Sequence, residues 1–185
     1  MTLLSIDEVR EGLEKEFLPL EPVLCGFRLI PASIPEGLMA DCEDRLSVKF
    51  PANFRGIISS FDFGRLTIGP VVFCTTGDYL SELLELNLQV HWWGSGIRPS
   101  NLLMIANSDP YAILLDLGTC EVLSMDAEDG YQKSGKIARN FEKFLRGLGT
   151  IVLTRNHIND KRELAQSVFK DVEGQESEFW FELAQ

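Results

Sequence analysis

The chain has 185 residues, 45% of them hydrophobic, which suits one core, or one core with an extension, rather than several domains. With 28 acidic residues against 17 basic ones it carries a formal net charge of −11, which argues against a phosphate-backbone binder, whose affinity comes from clustered lysine and arginine. The mean hydropathy is +0.02, and no apolar run exceeds about six residues, so nothing reads as a membrane span.

Ser5-Ile6-Asp7-Glu8 reads as a capping box, with Leu4 and Val9 in hydrophobic-staple positions. Val9, Leu13 and Phe17 line one helical face, and Pro19 and Pro22 stop the helix. The first residues have neither a basic stretch nor a long apolar run, so the expected location is the cytoplasm. Val23 to Ile30 reads as a lead-in strand. Ser33 and Pro35 open a second helix, with Leu38, Met39, Cys42 and Leu46 inward. Pro51 begins a third helix, where its missing N–H costs nothing, and Phe54, Ile57, Ile58 and Phe61 mark its buried face.

Gly64 and Gly69-Pro70 punctuate the next region, with short strands at Leu66–Ile68 and Val71–Cys74. Asp78 is a good N-cap for a helix that turns Tyr79, Leu80, Leu83 and Leu84 inward and Glu82 and Glu85 outward. Gln89 to Trp93 reads as another strand, followed by a loop through Gly94-Ser95-Gly96 and Pro99-Ser100. Asn101 to Ala106 is an apolar run, Asn107 to Pro110 a turn, and Tyr111 to Leu115 a strand buried on both faces. Asp116-Leu117-Gly118-Thr119 turns the chain into Glu121-Val122-Leu123. After an acidic loop, Ile137, Ala138, Phe141, Phe144, Leu145 and Leu148 fall on one helical face over 134–147, with Lys136, Arg139, Lys143 and Arg146 opposite, in solvent.

Residues 33–148 resemble the SUKH superfamily, which includes the yeast Smi/Knr-type cell-wall regulator and many bacterial immunity proteins. The resemblance rests on Glu43-x-x-Leu46 and Phe50-Pro51, then Leu115-Asp116, Glu121-Val122 and Ile137-Ala138-x-x-Phe141-x-x-Phe144-Leu145. Two positions depart from the pattern: Cys120 stands where a hairpin glycine is usual, and Asp62-Phe63-Gly64 where Asn-Gly is common. The resemblance implies either an immunity protein that binds a cognate toxin or an intracellular regulatory scaffold. Residues 1–32 then form an N-terminal helix and lead-in strand outside the family core, and 149–185 a C-terminal helical extension packed on it. In that extension Asp160-Lys161-Arg162-Glu163 caps a helix with Leu164, Val168 and Phe169 on its apolar side. Gly174 ends the helix, and the aromatic run Glu178 to Leu183 needs cover.

No catalytic or metal-binding constellation is legible. Cys25, Cys42, Cys74 and Cys120 are scattered with no C-x-x-C spacing, so they read as thiols rather than zinc ligands. His91 stands alone beside Trp92 and Trp93. Asp126-Ala127-Glu128-Asp129-Gly130 fails as a calcium loop, because Met125 would fall at its first ligand position. The sequence therefore predicts no enzyme and no cofactor. It predicts an α+β fold, with a mixed, largely antiparallel sheet of about five to six strands and helices packed on one side. Acidity is uneven: residues 78–129 hold nine acids and one base, Arg98, whereas 130–146 hold five bases and one acid. That pattern favours a basic protein partner over nucleic acid or membrane, and the family resemblance implies that this partner is a toxin domain, with the chain itself a monomer or weak homodimer. The predicted contacts are Glu82, Glu85, Asp126, Glu128 and Asp129. Adjacent strand residues face opposite ways, so one of Trp92 and Trp93 enters the core while the other supplies an apolar anchor.

Overall fold

The structure, a computed structural model, describes residues 2–88, 93, 97–126 and 130–185. The order of elements is α1 (Ile6–Phe17), β1 (Ile30–Pro31), α2 (Glu36–Leu46), α3 (Ala52–Ser60), β2 (Phe61–Asp62), β3 (Thr67–Ile68), β4 (Val71–Val72), α4 (Tyr79–Leu88), β5 (Leu102–Ser108), β6 (Tyr111–Asp116), β7 (Val122–Asp126), β8 (Gly135–Ala138), α5 (Phe141–Thr154), α6 (Lys161–Asp171) and α7 (Glu178–Leu183). Strands β3 to β8 form one six-stranded sheet in sequential order, and β1 pairs separately with β2. Every strand pair among the described residues is antiparallel, including β1–β2 and β4–β5, whose connections run through helices rather than tight turns. The fold is α+β, with β6 inside the sheet and Ala112 to Leu115 buried.

Side-chain alternation sorts the sheet residues onto two faces. Leu103, Ile113, Leu115 and Val122 enter the main core with residues of every helix. Leu102, Met104, Ala112, Leu114 and Met125 face the other way, where Leu86 of α4 and Trp93 cover them. The helices lie mostly on one side, as expected, but the end of α4 reaches the second face. Two bulges modify the alternation. Ile105 is the extra residue in the β5–β6 ladder and Ile137 in the β7–β8 ladder. Ile105 with Ala106, and Ile137 with Ala138, therefore both enter the main core as consecutive residues.

The sheet's edges and gaps are filled by other parts of the chain. Strand β4 pairs with β5 only at Val72 and Asn107, which leaves the earlier part of β5 without a strand on that side. Three side chains take its place. Asn87 donates to the Met104 carbonyl and accepts from the Met104 N–H, both at 2.8 Å. The Tyr79 hydroxyl donates to the Ile105 carbonyl at 2.8 Å, and Arg98 donates to the Leu102 carbonyl at 2.7 Å. At the far edge, the Lys136 carbonyl of β8 accepts from the N–H groups of Gln175 and Glu176, and the Ile137 carbonyl accepts from the Trp180 indole. At the other margin, the Thr67 N–H of β3 donates to the Gly26 carbonyl at 2.7 Å. Both segments outside residues 33–148 thus contribute to the margins of the sheet.

Several local expectations give way to packing. The segment over Ile137 and Ala138 is strand β8, and α5 begins only after Asn140, whose side chain accepts from the Lys143 N–H. Helix α5 continues to Thr154, so a boundary at 148–149 would cut through it. Its polar face is not free in solvent: the Lys143 ammonium donates to the Asp171 carbonyl, and the Arg146 guanidinium to the Leu4 carbonyl, each at 2.8 Å. Val23 to Leu29 is turns and coil, because Pro22 and Gly26 at φ +89° interrupt any strand. Leu38 is 57% exposed rather than inward. The aromatic tail does fold back, burying Phe179, Trp180 and Leu183 in the main core.

Helices α1 and α5 cross closely through glycine. A Cβ on Gly149 would sit 2.3 Å from Cγ1 and 2.5 Å from Cγ2 of Val9, a β-branched side chain with little freedom to move away. Alanine normally improves a helix by up to about 1 kcal/mol, but overpacking costs about 1–3 kcal/mol. Gly149→Ala is therefore expected to destabilise the protein in a urea melt, whereas Gly37→Ala, with nothing within 4 Å, is expected to stabilise it or leave it unchanged.

Candidate partner-binding surface

Helix α4 carries the first two predicted contacts. Its start is fixed by Asp78, whose carboxylate accepts from the Leu80 and Ser81 N–H groups at 3.1 and 3.2 Å and from the Ser81 hydroxyl at 2.6 Å. The Ser81 hydroxyl, with those two N–H groups, holds the Asp78 carboxyl below its usual range against a smaller opposing effect of burial. Tyr79, Leu80, Leu83, Leu84, Leu86 and Asn87 point inward. Glu85 stands exposed, with no ion-pair partner among the described residues. It borders an open groove of about 440 Å³ with Leu84, Leu88 and, from α2, Arg45. Leu88 is 54% exposed there. Glu82 is half-buried and turned toward the β4–α4 loop, accepting from the Cys74 thiol at 3.7 Å and the Thr76 hydroxyl at 3.5 Å. It serves the loop more than the surface.

Trp93 is not an external anchor. It is 2% exposed and packs on Leu86 and the second face of the sheet, with its indole N–H 3.4 Å from the Leu86 carbonyl. The Tyr131 ring lies 6.4 Å away. Trp93 is thus the inward member of the tryptophan pair. Asp126 ends β7 opposite Tyr111, half-buried. Trp92, Glu128 and Asp129 lie outside the described residues, as do His91 and most of the expected Gln89–Trp93 strand.

Other acids in the 78–129 segment have local work. Asp116 accepts from the N–H groups of Gly118 and Thr119 at 2.8 and 2.9 Å and so closes the β6–β7 turn. Glu121 pairs with Lys136 across β7–β8 at 3.0 Å. Acidity in this segment is therefore partly structural, and its outward remainder among the described residues centres on Glu85 and Asp109. No group of three or more His, Cys, Asp or Glu among the described residues could hold a metal ion. All four cysteines are free thiols; burial raises Cys42 to about 11, away from nucleophilic reactivity. No described helix is long and apolar enough to cross a membrane.

Residues missed in the sequence are the polar ones that close β5. Asn87 carried a usable signal: it follows Leu83 by one helical turn on the inward stripe of α4, where an amide must find partners. Arg98 carried none, because its targets, the carbonyls of Leu46 and Leu102, come together only in the fold.

Compared with known proteins, the chain matches no family model, and no curated protein is similar to it at a significant level.

The Asp78 shift fixes a pH dependence. A carboxylate with a depressed folded pKa contributes stability above its unfolded value, about 3.9, and loses it as pH falls through the folded value. Asp78→Ala is expected to cost about 1 kcal/mol at pH 7, as loss of a helix cap does, with the gap from wild type narrowing below about pH 4 in denaturant melts.

Proposed function

We propose that this chain is a non-catalytic protein-binding module of the SUKH type, an immunity protein that neutralises a cognate toxin domain by direct binding. The observation that carries the reading is the outer side of α4, where Glu85, without an ion-pair partner among the described residues, adjoins exposed Leu88 over an open groove. An acid beside an apolar contact complements a basic groove, and nuclease-type toxins present such grooves because they hold phosphates. The net charge of −11 adds long-range steering toward such a partner. The absence of a legible catalytic set in the sequence fits the same role. So does the use made of Glu43, Asn87 and Thr150, buried polar side chains that each hold backbone in place. Contact is made through the outer face of α4 and the neighbouring acidic segment, and it blocks the toxin's active site.

The test is co-expression and pull-down with the C-terminal domain encoded by the gene immediately upstream. Rescue of cells, salt-weakened binding, and loss of about tenfold in affinity on Glu85→Lys are expected, the last being about 1.4 kcal/mol for one rim charge reversed. If co-expression never rescues, the immunity reading fails and a regulatory scaffold of the Smi/Knr type takes its place.

A further inference from the structure

A second acidic feature lies at the end of the sheet, away from α4. The β5–β6 turn, the β3–β4 turn, the end of α5 and helix α7 enclose a cleft of about 310 Å³. Its rim carries Asp109 and Glu182, both exposed, and neither forms an ion pair among the described residues. Phe179 and Leu183, each 3% exposed, and Pro70 supply apolar wall. Ser108 also lines the cleft: it is 3% exposed, and its hydroxyl has no hydrogen-bond partner among the described residues. No buried side-chain polar atom among the described residues lacks a partner, so this hydroxyl is open to the cleft rather than sealed away from water.

One cation shares the cleft. Arg155 donates to the Leu183 carbonyl at 3.0 Å and makes no ion pair among the described residues, so it ties α5 to α7 rather than pairing directly with either rim acid. The field at Tyr111 shows the resulting sign. Burial raises its phenol well above the usual value, its hydrogen bond to the Glu182 carboxylate raises it further, and the charges of Glu182, Glu178 and Asp126 add to that. Asp126, one of the predicted contacts, faces Tyr111 across the β6–β7 ladder, so the acidic segment and the cleft adjoin.

We propose that this cleft receives the side chain of a lysine or arginine from the partner protein. The methylene stem lies on Phe179, Leu183 and Pro70, the cationic head meets Asp109 and Glu182, and the Ser108 hydroxyl accepts one of its N–H groups. The C-terminal extension, which supplies α7, thereby forms one wall of a binding subsite. The proposal rests on the reading of the chain as acceptor of a basic partner and adds a second point of contact to the α4 surface.

The probe is N-acetyl-L-arginine amide, titrated into the full 15N-labelled protein by NMR, with N-acetyl-L-norleucine amide as the neutral control. Saturable shifts are expected at the amides of Ser108, Asp109, Tyr111 and Glu182, with affinity in the millimolar range, and none from norleucine. The pair Asp109→Asn and Glu182→Gln, checked for an unchanged fold by its own spectrum, is expected to weaken binding by about tenfold or more. No saturable shift at these amides, equal binding of the neutral control, or an unchanged affinity in the double variant each overturns the proposal. If the upstream toxin domain binds but the probe does not, the cleft proposal falls and the function stands. If the probe binds and the toxin domain does not, the site stands and the immunity reading falls.

Discussion

An unpaired strand edge is a standing cost, because each backbone N–H or C=O removed from water without a partner loses about 1–3 kcal/mol. In this protein that constraint organises everything around the sheet. Strand β4 is two residues long and cannot cover β5, so α4 is drawn against β5 and closes it with Asn87 and Tyr79. Arg98, half-buried among carbonyls, closes the next position and ties it to the end of α2. Burial lowers the Arg98 pKa from its ordinary value, which leaves the guanidinium charged at neutral pH because that value is so high. At the other margin the chain after α6 lies along β8, and Trp180 both fills the core and donates to the Ile137 carbonyl.

The same constraint limits how partners attach. Proteins often recruit peptides by adding a strand to a free edge. Along β5 and β8 the outward backbone groups named above already have partners within the chain, so that mode is closed at those positions. On the proposed reading, binding falls to side chains: the outer side of α4, and the cleft between α7 and the β5–β6 turn. Both surfaces combine carboxylates with apolar contact, and the acidic Asp126 end of β7 adjoins the second of them. On the proposed reading, a basic partner meets carboxylates at both.

Local rules made much of the chain readable. Ser5 with Glu8 and Asp160 with Glu163 mark helix starts that the fold uses. Tyr111 to Leu115 reads as a doubly buried strand and lies inside the sheet. What escaped depends on three-dimensional context. Ile137 and Ala138 both point inward because of a bulge, which mimics a helical stripe continuing to Phe141. Nothing in the local sequence marks Trp93 as buried; its packing on Leu86 does that. Leu38 is spaced as if buried, yet remains exposed. The cleft draws on four separate segments, so no local pattern could announce it.

Hydrogen exchange at the Met104 amide tests the closed edge most directly. If Asn87 takes the place of a strand, that amide exchanges only when the whole molecule opens, as slowly as the best-protected amides of β6. In Asn87→Leu it loses this protection, while the amides of β6 that pair with β7 keep theirs relative to global stability. A Met104 amide that exchanges in the wild type as fast as those of the exposed β6–β7 turn would contradict the account.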